Sequence, residues 1–154
     1  MKAEYVNPFI SATADVVKQM AQLDVKRGQI GLKKVLLPSY EVVIRIDVVG
    51  DLQGSVVYSM AEDVAKRIAS SMMMGMPVSE LDDLAKSAVN ELANMITGNA
   101  ASKLNTLGIT VDITPPSMNI GRMSVPLANA PALVIPMLVL PQGTIEVNVT
   151  FKGD

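Results

Sequence analysis

Neither cysteine nor histidine occurs anywhere in the 154 residues of this chain. Without cysteine there is no disulfide and no thiol nucleophile. Without histidine, most zinc sites, Ser-His triads and the commonest general base are gone. Tryptophan is missing too, and aromatics make up only 3% of the residues, too few for a base-stacking platform. The net charge is −2, with no basic run, so the electrostatic footprint of a nucleic-acid binder or of a protein held on an anionic membrane is absent. No apolar run approaches the ~20 residues that span a bilayer. The start holds Glu4 and Asp15 and no block resembling a signal peptide. The expectation is a soluble cytoplasmic protein with no nucleic acid and no membrane among its partners. Any chemistry must run on Glu, Asn, Ser, Lys or a borrowed metal.

What is present is a chain that is 49% hydrophobic, with no linker, low-complexity segment or charge block. Residues 1–154 are expected to form one domain. A first helix is predicted from about Tyr5 to Met20, with Asn7 capping it and Pro8 at its first position. "QIGLKKVLLP" reads as a strand ending at Pro38. "YEVVIRIDVV" and "SVVYSM" read as a hairpin across the turn "GDLQG". A second helix spans about Glu62 to Met74, stopped by Gly75 and Pro77. The methionines 72, 73, 74 and 76 at its end are core or subunit-contact filler first, and a partner surface second. A long helix follows from about Glu80 to Leu107, with Ser79 and Asp82 resembling a capping box and Gly108 as its stop. "ITVDITPP" is a short strand. "PALVIPMLVLP" is apolar on both sides, as in a doubly covered strand, although Pro136 suggests an edge or a bulge. "QG" turns the chain, and "TIEVNVTF" alternates apolar with polar residues. The sum is an α+β domain.

The long helix carries the informative pattern. At ~100° per residue, Ser87, Glu91, Asn94 and Gly98 fall within roughly 60° of one another, opposite Ala85, Val89, Leu92, Ile96 and Ala100. The apolar side is ordinary core. A solvated side usually mixes long, strong helix formers. Here it is short and holds Asn and Gly, which cost up to ~1 kcal/mol each relative to Ala. Gly98, with Ala101 and Ser102, leaves room for another backbone, and Asn94 offers an acceptor and two donors on a short arm. On pattern alone E-x-x-N is common by chance and reads first as a solvated face, and helix packing inside the domain explains Gly98 equally well.

Ser87, Glu91, Asn94 and Pro115, with Pro116 following, also stand at the spacings of a known motif: Asp or Ser, Glu four residues on, Asn three further, and Pro about twenty further. The flanks "ELANMITGNAASKLNTLGITVDITPP", "GDLQGSVVYSM" and "SMMMGMPVSELDDLAKSAVNELANM" match as well. On these residues the chain resembles the CheC/CheX/FliY family of bacterial chemotaxis phosphatases, its CheX branch most of all. The resemblance implies a CheC-like fold, with an antiparallel-rich sheet packed against long helices. It implies hydrolysis of the aspartyl phosphate of a phosphorylated CheY-type response regulator. Asn94 would position the attacking water and Glu91 would pair with the regulator's lysine. Ser87, Gly98, Pro115 and Pro116 would meet the partner. The chain would need no cofactor of its own, because the regulator brings the Mg²⁺, and it would hold no metal. A homodimer is implied too.

Relatives of the CheC type carry the motif twice. The only other E-x-x-N of this kind here is Glu4 to Asn7, which lacks a residue four before Glu4 and a proline about twenty beyond Asn7, so Asn7 reads as a cap. Two alternatives stand beside the phosphatase: a module that binds a regulator or a flagellar-switch partner without turnover, and a dimerisation domain whose stripe is buried against its own chain.

Overall fold

The computed structural model describes residues 3–121, 125–128, 130–139 and 143–152. Three helices and eight strands alternate in the order α1 (Ala3–Ala21), β1 (Val25–Arg27), β2 (Gly31–Lys33), β3 (Val42–Gly50), β4 (Gly54–Met60), α2 (Glu62–Met72), α3 (Asp83–Thr106), β5 (Val111–Ile113), β6 (Ser117–Ile120), β7 (Ala132–Val139) and β8 (Thr144–Phe151). Every strand pairing is antiparallel. The sheet runs β1-β7-β8-β4-β3-β5, with β2 beside β1 on β7 and β6 beside β5 on β3. This is the expected α+β architecture.

The sheet has two unlike faces because its strands alternate. One face carries Val42, Ile44, Ile46 and Val48 of β3, Val56, Tyr58 and Met60 of β4, and Ile145, Val147 and Val149 of β8, all buried under the helices. α3 answers with Val89, Leu92, Ile96, Ala100 and Leu104, and α1 with Val6, Phe9, Val16 and Val17. The Tyr58 hydroxyl is 2.8 Å from Thr97 Oγ1, which itself donates to the Ala93 carbonyl, so a polar pin ties α3 to mid-sheet. Burial pushes the Tyr58 phenol well up, so it stays a neutral donor.

The other face differs from what alternation alone implies. Alternation puts Glu146, Asn148 and Thr150 on the face away from the helices, yet they are only 5%, 0% and 6% exposed. A strap of chain covers them. Leu36 donates to the Ala128 carbonyl and accepts from Leu127, and Leu36, Val43, Val57 and Ala132 form a small second core there. Glu146 Oε1 accepts from the Ser39 amide, the Ser59 hydroxyl and the Asn148 amide, each at 3.0 Å. Burial pushes its carboxyl up, but these bonds outweigh burial and hold it below its ordinary value. Asp47, likewise pushed up by burial, is held low by Ser55 and Arg45.

The two halves of the chain are built alike: a long helix, two short strands, then two long strands. Each half lends its short strands to the other half's sheet. Val25 pairs with Val139 and Gly31 with Val134, just as Val111 pairs with Gly50 and Ser117 with Arg45. Equivalent pairs are offset by the same number of residues, so the repeat is a property of the fold.

Several local expectations change. α1 starts at Ala3, so Asn7 lies inside the helix and is exposed; it is no cap. Pro8 sits buried in the second turn rather than first. The start of α3 is capped by Asp82 itself, which accepts from the Ala85 amide at 2.9 Å, and Ser79 takes no part as N-cap. "QIGLKKVLLP" contributes only Gly31–Lys33, while β1 and β6 arise where no strand was expected. Pro136 is not at an outer edge; it stands where three residues, 28–30, oppose two, 135–136, the one-residue slip of a bulge. It pairs with Glu146, and its carbonyl accepts from Gly28 between β1 and β2, so the missing N–H falls where the flanking ladder is interrupted. Met72 and Met73 pack on the core, whereas Met74 and Met76 are 98% and 57% exposed. The "QG" turn lies partly outside the described residues, but Gly143 takes φ +125°, which favours glycine.

Candidate functional site

α3 is held so that the apolar stripe faces the sheet and the polar stripe faces away. Ser87 and Glu91 are exposed, and Asn94 and Gly98 are half-buried. Glu91 and Asn94 are neighbours across one turn of an anchored helix. Their backbone is rigid because Leu92 and Ala93 between them are buried at 1% and 3% exposure. The expectation of an outward ridge therefore holds. A stripe buried against its own chain, as a pure dimerisation domain required, is excluded.

Gly98 decides between two readings of its small size. A Cβ built there would meet nothing within 4 Å. Among the described residues no element approaches the helix at that point, so packing between them does not explain the glycine. The space above it is open to a visitor.

Pro115 is exposed and Pro116 half-buried, in the short connection between β5 and β6. β5 and β6 both pack against α3, which brings the two prolines and the stripe to the same edge of the molecule. Leu84, 62% exposed, continues the stripe two turns before Glu91, within about 20° of it by helical arithmetic. Among the described residues, no three Asp or Glu side chains converge as a metal site, and no helix is long and apolar enough to cross a membrane.

One residue escaped the sequence reading. Asn90 stands one turn before Asn94 on the flank nearest β6, and its buried Oδ1 has no hydrogen-bond partner among the described residues. It was legible in principle: Asn90 is as poor a helix former as Asn94 and equally unexpected inside a helix.

This α+β fold, with a long helix turned outward from an antiparallel sheet, is that of the CheC-like chemotaxis proteins. Residues 42–138 match the family of the chemotaxis phosphatase CheX. The chain is 32% identical over 153 residues to the CheY-P phosphatase CheX of Thermotoga maritima, covering 99% of each protein. It superposes on a CheC-like superfamily protein from Shewanella sp. PV-4 with a TM-score of 0.87, at 27% identity, covering 99% of this chain and 100% of that one. The CheX of the CheX-CheY-BeF3-Mg complex from Borrelia burgdorferi is similar at a TM-score of 0.74 and 26% identity, covering 96% of this chain and 97% of that one. The chain belongs to the CheX family of chemotaxis phosphatases.

Proposed function

We propose that this protein hydrolyses the aspartyl phosphate of a CheY-type response regulator, with Asn94 orienting the attacking water and Glu91 pairing with the regulator's lysine. The observation that carries the reading is the outward pair of exposed Glu91 and half-buried Asn94, with open space at Gly98 beside them. It sits in a chain 32% identical from end to end to a CheY-P phosphatase.

The chemistry suits the residues. An aspartyl phosphate is an activated acyl phosphate. Water attacks phosphorus, the bond from phosphorus to the aspartate oxygen breaks, and the products are inorganic phosphate and a free carboxylate. The departing carboxylate is a weak base and needs no acid from the phosphatase. What is lacking is a water in line, which is a matter of positioning. The Asn94 amide cannot act as a base, but its carbonyl and NH₂ can hold a water, as the glutamine of small GTPases does. Glu91 would be repelled by phosphate unless a cation meets it, and the regulator's active-site lysine is that cation. Mg²⁺ belongs to the regulator. Ser87, Gly98, Pro115 and Pro116 frame the contact. The protein works in the cytoplasm as a homodimer, and Leu138 on β7, 39% exposed, is apolar surface that a second copy would cover.

The test follows loss of label from a phosphorylated CheY-type regulator. Intact protein accelerates the loss, and Asn94→Ala returns it to the regulator's own rate while its thermal melt stays that of the parent. Equal acceleration by the two proteins rules out the mechanism. Binding without acceleration by the intact protein would leave a docking module instead.

A further inference from the structure

A cleft of about 410 Å³ opens between α3 and β6, lined by Lys86, Asn90, Met118, Asn119 and Ile120. It adjoins the stripe on one side only. On the helical wheel Asn90 stands about 40° from Asn94, on the side away from Glu91. The register places Met118 opposite Ile44 and Ile120 opposite Val42, so both project from the helix-facing side of the sheet. Among the described residues β6 pairs with β3 alone, at the sheet margin, and α3 does not fully cover it: Ile120 is left 43% exposed.

We infer that this cleft receives the segment of the phosphorylated regulator that flanks its phosphoaspartate, with a polar group of that segment on the Asn90 amide and an apolar side chain on Met118 and Ile120. The inference rests on the docking proposed above and names where the second half of the contact lies. Three observations converge on that occupant. The cleft is continuous with the Asn94 side of the ridge, so a regulator seated on Asn94 overlies it. The Asn90 oxygen is buried without a donor among the described residues, which is unfavourable, and no internal bond holds the amide against turning to meet a visitor at the cleft. The lining mixes apolar surface with a single cation, Lys86, which suits a segment lying beside a phosphate dianion. Asn90 is thus a positioning residue: it fixes the regulator's orientation and leaves the water to Asn94.

Asn90→Ala and Ile120→Ser test this in the full-length protein. Two readouts are needed: KM and kcat for a phosphorylated CheY-type regulator, and Kd for the same regulator loaded with beryllofluoride and Mg²⁺. Each variant should raise KM and Kd together, by about tenfold for loss of a hydrogen bond or a buried apolar contact. The expected kcat is that of the parent. Asn90→Ala should melt no lower than the parent, because alanine removes the unpaired acceptor and is the better helix former. Unchanged KM and Kd in both variants would overturn the inference. So would a lower melting temperature for Asn90→Ala with unchanged KM, which would make Asn90 a holder of internal water. If the parent binds the beryllofluoride regulator without turnover and both variants weaken binding, the cleft stands and the phosphatase reading fails.

Discussion

Replacing Gly98 with alanine should move stability and function in opposite directions. Glycine inside a helix costs roughly 0.5–1 kcal/mol relative to alanine, because its unfolded chain has more freedom to lose. The substitution recovers that amount only where the new methyl fits. At Gly98 a Cβ would meet no atom within 4 Å, and the residue has ordinary helical backbone. The free protein should therefore gain up to ~1 kcal/mol, which at this chain length raises the melting temperature by about 2–4 °C. Docking is different. If a regulator packs closely over Gly98, a methyl in that contact costs about 1–3 kcal/mol, or roughly a 5–150-fold rise in KM. Differential scanning fluorimetry reads the first effect and steady-state dephosphorylation the second. A lower melting temperature would refute the open-space argument. A higher one with unchanged KM would show that no partner approaches there, and the docking face would have to be moved.

Glu91→Ala should raise KM for the phosphorylated regulator while saturating regulator restores part of the rate; full activity at low regulator concentration would remove the proposed lysine pairing. Asp82→Ala deletes the cap that accepts from the Ala85 amide, and chemical denaturation should show a loss of about 1 kcal/mol with kcat little changed. Glu146 is held below its ordinary value of 4.5 by the bonds from Ser39, Asn148 and Ser59. A depressed folded value stabilises the fold above the unfolded value, and that stabilisation is lost as the pH falls through the folded one. Glu146→Gln should thus be less stable than the parent at pH 7, with the gap closing below about pH 4.5. A gap constant with pH would show that the carboxylate charge does not hold the strap.

Much of this protein was legible without coordinates where its patterns are local. The β3–β4 hairpin follows from alternation on either side of a glycine-bounded turn, and both strands form as expected. The amphipathic periodicity of α3 sorted its residues correctly, because burial on a helix repeats every 3.6 residues whatever lies opposite. Asn94 could be picked out because a short amide is costly inside a helix, and Glu91 through the motif spacing that carries the family resemblance.

Other features depended on contacts distant in sequence. Alternation in "TIEVNVTF" separates two faces but cannot say that a strap from residues 34–41 buries the second, so Glu146 and Asn148 look like surface until that strap is seen. β1 and β6 have too few residues to declare themselves; they exist because each finds a long strand from the other half of the chain. Gly98 could have served a neighbouring helix of its own fold, and only the emptiness above it among the described residues speaks against that. The periodic code of one helix determined which residues stand together, since that depends on backbone geometry alone. Which of them face a partner was decided by the tertiary structure, because exposure is set by the elements that pack around the helix.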